Sequence, residues 1–420
     1  MHEAVGRIPL REIAVFIMGQ SPDSNYVAND GDRGIPFLQG CAEFGTESPN
    51  FAFRCTRPQK VCQAGDILIS VRAPVGTLNK AYRDYCIGRG LAAVRFREST
   101  LQSYGWHLLV YWSSDLKKVS QGSTFEAIGR ADLENLQVGV VSEKEQSRIS
   151  EILDTVDEAI RKTEALIAKL KQMKTGLLHD LLTRGLDENG ELRDPVAHPE
   201  QFKDSPIGKI PMTWEIHQLG EISDIKSGVT LGRDLSGPST TELPYLRVAN
   251  VQDGYVDLSE VKTVRIYRSE TEKYLLKAGD VLMNEGGDYD KLGRGTVWQG
   301  QIHPCLHQNH VFRVRVDTSR LKPEFLAAVS GSSYGKKFFV LCSKQSTNLA
   351  SINSTQLKSF PIPCPSPAEQ KRIIDATKAI ETRICIEEAV RDKLQLQKKG
   401  LMHDLLTGRV RVKMAEEYRA

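Results

Sequence analysis

The stretch Glu143–Arg184 returns near the end of the chain as Ala368–Gly408, without a gap, at a constant shift of 224, the distance from Glu145 to Glu369. Glu145-Gln146 meets Glu369-Gln370, Gly176-Leu177 meets Gly400-Leu401, and His179-Asp180-Leu181-Leu182-Thr183 meets His403-Asp404-Leu405-Leu406-Thr407. Agreement over roughly forty residues at one shift means duplication, and a duplicated chain must fold as two related halves. The first copy carries a heptad: Ile149, Val156, Thr163, Leu170 and Leu177 at one seam position, and Ile152, Ala159, Leu166 and Met173 at the other. Apolar residues every 3.5 positions on average, with Lys and Glu between them, predict a coiled-coil helix. In the second copy Ile373, Ile380, Ile384, Val390, Leu394 and Leu401 hold the stripe, and Glu387 and Gln397 fall on it. Gly185 and Gly408 suit helix C-caps. A helix of about 38 residues is about 57 Å long, more than one domain needs for its own core, so the two helices are expected to pair with each other.

Before each helix lies a globular block. Residues 1–142 hold short apolar runs broken by Gly, Pro, Asn and Asp, with a helical segment from Leu101 to Val119. Residues 212–365 use the same grammar, with a helical segment from Lys322 to Phe339. This pattern predicts α+β domains rich in short strands. The blocks match loosely: Gly65-Asp66-Ile67-Leu68 with Gly279-Asp280-Val281-Leu282, Gly76-Thr77 with Gly295-Thr296, Cys86 with Cys305, and Ser123-Thr124 with Ser346-Thr347. Polar positions between them differ: Gln39 faces Arg247, and Arg89-Gly90 faces Gln308-Asn309. One scaffold with two polar surfaces suits two different ligand surfaces. Residues 185–211, charged, Pro-rich and non-periodic, are expected to be a linker. The expected order is globular block, helix 143–184, linker, globular block, helix 366–408 and a tail 409–420. Paired antiparallel, the helices would relate the blocks by a pseudo-twofold axis and set them at opposite ends of a rod. Duplex DNA with two separated half-sites is the natural partner of such an object.

Composition narrows the setting. A net charge of +3 neither demands nor opposes nucleic acid. The apolar run within Met1–Gln20 is too short for a signal peptide, no stretch is apolar for 18 residues, and the eight cysteines form no CxxC pair. A cytoplasmic protein with free thiols and no membrane span is expected. No Pro-Pro, no Gly-rich fingerprint and no GxxxxGK[ST] occurs, so no site for amino methylation, S-adenosylmethionine or ATP is expected in this chain. Glu260-Val261-Lys262 has a nuclease-like ExK form but reads as surface charge. His303, Cys305, His307 and His310 fall within eight residues, but they are expected to alternate along one strand, and the segment around Cys86 holds no His. No metal is therefore expected there.

These motifs carry a resemblance. GDIL followed by VRAPVGT, CIGRGLA in one block and HQNHVF in the other, the EQxRI helix starts, the GLLHDLLT and GLMHDLLTG endings, and the linker LRDPxxxPEQFKDSPIGKIPxxWE resemble the specificity subunit of type I restriction-modification systems over essentially the whole chain. The resemblance implies two similar globular target-recognition domains, each reading half of a bipartite double-stranded DNA target. Two long helices forming an antiparallel coiled coil would separate them and dock methyltransferase subunits. It implies no active site in this subunit, while the assembled complex would use S-adenosylmethionine, ATP and Mg. The DNA-binding candidates are Gln39, Arg72, Lys80, Arg89, Gln121 and Ser123 in the first block, and Arg247, Lys291, Arg294, Gln308, Asn309, His310, Gln345 and Ser346 in the second. Gln and Asn suit adenine, Arg suits guanine or phosphate, and the Ser loops suit phosphate. The faithfully repeated helix ends, His179, Asp180 and Leu182 with His403, Asp404 and Leu406, are the partner-binding candidates. A surface present twice is expected to bind two methyltransferase subunits, with two restriction-translocase subunits joining them.

Overall fold

The computed structural model describes residues 6–29, 33–46, 48–98, 101–120, 127–287, 292–293, 295–345 and 350–412. The chain divides into two compact units, residues 1–165 with 388–420, and residues 166–387. Each holds one globular block and part of each long helix.

The long helices span Glu143–Thr183 and Pro367–Leu406. Each opens after a serine whose carbonyl accepts from the residue four positions on: Ser142 from Gln146, and Ser366 from Gln370. Glu145 turns back to accept from the Ser142 hydroxyl at 2.8 Å and from the Ser142 N–H at 3.4 Å, and the second bond meets a backbone donor that a helix start leaves free. Each helix is followed by a glycine with positive φ, 63° at Gly185 and 69° at Gly408, the left-handed turn that closes a helix C-terminus at low cost only with Gly.

Within each unit the helix segments run antiparallel. In the first unit Glu145 meets Arg411 at 2.6 Å and Asp157 meets Lys398 at 2.5 Å. In the second, Lys174 meets Glu381 at 2.8 Å and Arg193 meets Glu369 at 2.6 Å. One set of expected seam positions holds: Ile149 is buried, and Val156, Thr163, Leu170 and Leu177 are half-buried. The other holds in part: Ile152 and Ala159 are half-buried, but Leu166 and Met173 are 37% and 52% exposed, and Leu153, Ile167 and Leu181 are buried with Ile160 and Lys174 half-buried in their register. A step of three from Ile149 reaches Ile152 and a step of four reaches Leu153; both are apolar, so the pattern alone does not choose. The second helix uses the same steps, with Ile373, Thr377, Ile380, Ile384, Glu387, Arg391, Leu394, Lys398, Leu401 and Leu405 facing inward or half-buried. Glu387 does lie on this seam, but Val390 and Gln397 are exposed and Arg391 and Lys398 take their places.

The blocks share a topology. The first has an antiparallel sheet in the order Ala14–Met18, Leu91–Phe96, Ile67–Ser70, Leu78–Lys80; the second has Ser223–Ser227, Val311–Val316, Val281–Asn284, Gly295–Val297. Each adds a second sheet with one parallel pair, Ile35–Leu38 beside Tyr85–Ile87 and Thr240–Leu246 beside Leu306–His307. The central strands, LAAVRF and VFRVRV, are buried on nearly every residue because a helical layer covers one face: Leu101–Ser120 in the first block, and Pro323–Gly331 with Ser333–Cys342 in the second. The second expected helical segment is thus broken at Ser332, whose hydroxyl caps the following helix by accepting from Gly335.

The Gly-Asp motif is a structural device in both blocks. Asp66 accepts from the Gln63 N–H and from Arg95 at 2.7 and 2.8 Å. Asp280 accepts from the Lys277 N–H and from Arg315 at the same two distances. A buried carboxylate needs this full set of donors.

Register corrects three sequence matches. Leu68 pairs with Asn79 and Leu282 with Thr296, so Leu78-Asn79, not Gly76-Thr77, stands where Gly295-Thr296 does. Phe37 pairs with Cys86 and Tyr245 with Leu306, so Cys86 matches Leu306, and Cys305 is one position out. The Gly88 N–H donates to Leu38 and the Gln308 N–H to Leu246, so Arg89 matches Asn309 rather than Gln308. Local identities of two or three residues slip easily when loops between strands differ in length.

The expected linker is packed down. Leu186 and Ile210 join Trp214 in the core of the second unit, Phe202 is buried, and the Leu186 N–H donates to Glu369 at 2.9 Å. Its few apolar anchors have no period, which is why the sequence reads as loose. All eight cysteines are unbonded.

Candidate nucleic-acid interface

Three backbone segments converge on one turn in each block. In the first, the turn is Gly88–Leu91, closed by Leu91 N–H donating to Gly88. Gln20 donates to Ile87, Gly19 to Leu91, Gly88 to Leu38 and Val71 to Gly90. Gly19 lies so close to the turn that an added Cβ would sit 2.1 Å from the Gly88 carbonyl oxygen. The convergence gathers three sequence candidates: Gln39 at a strand end, Arg89 on the turn and Arg72 beside Val71, all exposed. Ser21 joins them unforeseen. Its hydroxyl lies 3.3 Å from the Gln39 amide nitrogen and 3.4 Å from the Arg89 N–H.

The second block repeats the frame with other side chains. The turn Gln308–Val311 is closed by the Val311 N–H. Val229 donates to His307, Gln308 to Leu246, Asn309 to Val229 and Glu285 to His310. Arg247, Gln308 and Asn309 are half-buried and His310 is exposed. The His310 Nδ1 bonds Glu285 at 2.5 Å, and the Asn309 amide lies 3.4 Å from Nε2. Arg247 is also tied to Glu260, at 3.5 Å, and Lys262 reaches the same carboxylate at 3.7 Å, so Glu260 and Lys262 form a surface charge cluster. The strand Lys344–Gln345 pairs with Ala350–Ser351, which pairs with Gly286–Gly287 next to Glu285. Gln345 therefore lies in a sheet that begins beside Glu285, two strands away from Gly287.

Other candidates fall elsewhere. Lys80 pairs with Ile67, at the far end of its strand from Ser70, and lies over the Trp106 ring at 4.7 Å; it packs on the helical layer instead of joining the turn. Gln121, Ser123, Lys291, Arg294 and Ser346 lie outside the described residues. The expected strand through His303, Cys305 and His307 is shorter: it covers only Leu306–His307, with Cys305, Leu306 and His307 consecutively buried and His303 exposed before it. Cys305 and Leu306 enter two different apolar clusters, as on a strand covered on both faces. His307 Nδ1–H donates to the Val311 carbonyl, 2.7 Å away, and burial pushes its imidazole down to about 4. Under the turn it is a neutral structural ring. Among the described residues no His, Cys, Asp or Glu group is arranged to hold a metal ion.

At the helix ends, His179 and His403 are exposed and Asp180 and Asp404 half-buried, and the Tyr111 hydroxyl bonds His403 Nδ1 at 2.8 Å. Leu182 and Leu406 are corrected as partner candidates: both are buried in the cores of their own units, the inward side of an amphipathic turn. Among the described residues no helix is long and apolar enough to cross a membrane.

The sequence matches the type I restriction modification DNA specificity domain family twice, over residues 9–172 and 211–396, and the chain belongs to that family. It is 27% identical over 317 residues to the type I restriction enzyme MjaVIII specificity subunit of Methanocaldococcus jannaschii, covering 74% of this chain and 70% of that one. It is 23% identical over 371 residues to the EcoDI specificity subunit of Escherichia coli, covering 84% and 76%. The fold is similar to the S subunit of a type I restriction-modification system from M. genitalium, with a TM-score of 0.55 at 14% identity over 98% and 96% of the two chains.

Proposed function

We propose that this chain is the non-catalytic, cytoplasmic DNA-recognition subunit of a type I restriction-modification complex. Each block reads one half of a bipartite target through its turn and the strand ends around it. The paired helices set the spacing between half-sites and dock two methyltransferase subunits through the exposed parts of the repeated His-Asp ends; two restriction-translocase subunits join for cleavage. The observation that carries this reading is one backbone frame filled twice with different polar groups: Ser21, Gln39, Arg72 and Arg89 in one block, and Arg247, Gln308, Asn309 and His310 in the other. Side chains of this kind at base edges specify sequence, while their shared scaffold does not. The test is to express the chain with its methyltransferase subunits and map methylation across a genome. Replacing Gln308 and Asn309 with Ala should relax one half-site and leave the other intact. Relaxation of both halves would mean that the blocks do not read independently.

A further inference from the structure

Glu285 occupies the position of Val71 in the other block, since each donates its N–H to the last-but-one residue of the turn, His310 or Gly90. Its backbone is fixed from both sides: the N–H donates to the His310 carbonyl at 3.0 Å, and the carbonyl accepts from Ile352 at 2.8 Å. Its half-buried carboxylate meets His310 Nδ1 at 2.5 Å. An ionised carboxylate only accepts, so Nδ1 carries the proton of that bond. The Asn309 amide nitrogen lies 3.4 Å from His310 Nε2, a long contact that the amino group of a base would replace. The carboxylate thus selects the tautomer with its proton on Nδ1, and the Nε2 lone pair is left for a donor. In the matching block Gly90 and Val71 offer neither group.

We infer that Glu285 is a specificity-positioning residue, which holds His310 in the tautomer that reads an exocyclic amino group on a major-groove base edge. This inference rests on the DNA-reading assignment above. In the major groove adenine and cytosine present an amino donor, and guanine and thymine present oxygen acceptors. A fixed acceptor at Nε2 accepts the first pair and opposes the second with facing lone pairs. A free imidazole, by exchanging tautomers, discriminates less.

The experiment uses the full chain with its methyltransferase subunits and reads the methylated motif by sequencing. His310→Ala should cut discrimination at one base pair of one half-site about ten-fold. Glu285→Ala should relax the same base pair, with guanine or thymine now admitted beside adenine or cytosine. Glu285→Gln should restore the preference only in part, because its amide oxygen still accepts from Nδ1 but its NH2 can also donate there. An unchanged motif with a lower methylation yield in Glu285→Ala would overturn the positioning role and leave Glu285 as a packing residue. Should Glu285→Ala fail to assemble, His310→Gln decides: an amide carries both donor and acceptor and should admit both kinds of base, and an unaltered preference would sink the idea. If the Gln308 and Asn309 double variant relaxes the half-site while His310→Ala does not, this inference alone fails. If neither variant changes either half-site, the DNA-reading assignment of the block fails with it.

Discussion

Lys174 and Glu381 meet at 2.8 Å in the second unit, and the residues one repeat away, Lys398 and Asp157, meet at 2.5 Å in the first. The base has moved from the first helix to the second and the acid the other way, so the duplication reproduces the rung with its partners exchanged. Both lysines occupy seam positions where most residues are apolar, so these rungs fix which residues face each other rather than add burial.

Charge reversal tests the register. Lys398→Glu faces Asp157 with a like charge and should destabilise the first unit by about 1 kcal/mol, a modest figure because both groups keep contact with solvent. Adding Asp157→Lys should recover most of that loss. Thermal unfolding of the two single variants and the double gives the coupling, and additive losses would show that the pair does not set the register.

Asp280 carries a second prediction. Its buried carboxylate satisfies a turn N–H and both reachable nitrogens of Arg315. Asp280→Ala leaves these donors without an acceptor and should cost roughly 2–3 kcal/mol in chemical denaturation, without altering the bases recognised. Asp66→Ala should do the same in the other block. A changed methylation motif in a folded variant would place the Gly-Asp motif in recognition instead.

Much of this was legible in the sequence, and the misses share a cause. The shift of 224 located two helices, and their pairing followed from length. Seam choice between Ile152 and Leu153 did not follow, since both are apolar and only the partner helix distinguishes them. Strand content followed from short apolar runs, but the equivalence of Arg89 with Asn309 needed backbone hydrogen bonds, because a turn residue leaves no periodic trace. Glu285 was missed for the same reason: nothing in Asn284-Glu285-Gly286 marks a carboxylate that will meet a histidine twenty-five residues on. Lys80 shows another limit, since no pattern in the sequence reveals that its ammonium lies over an indole ring away from the turn.

Acid should destabilise the second unit through His307. Burial lowers its imidazole to about 4, below the ordinary value of about 6.5. The unfolded chain then binds a proton that the folded one refuses. Stability is therefore full above about pH 6.5 and falls as the pH drops towards 4, by up to about 3 kcal/mol from this group. In the first unit burial likewise lowers His107, despite Asp154 at 2.9 Å, and this group acts with the same sign. Denaturation at pH 7 and pH 4 should give a smaller difference for His307→Gln than for the parent chain. An equal difference would show that His307 is not the proton acceptor.

The last prediction concerns spacing. Thr163-Glu164-Ala165-Leu166 lies in the middle of the first long helix, where only Thr163 turns towards the seam. Duplicating it inserts four residues into a heptad that steps by four and three, so two steps of four fall in succession. Such a stutter unwinds a coiled coil locally without breaking it. It adds about 6 Å of helix and, at 3.6 residues per turn, rotates the C-terminal part of the helix by only about 40°. With base pairs rising about 3.4 Å, the gap between half-sites should widen by about one or two base pairs while both half-sites keep their sequences. Genome-wide methylation mapping of the insertion variant reads the gap directly. An unchanged gap with activity retained would take the ruler away from the helices and assign the reach to flexible joints near Val141 and Gly185.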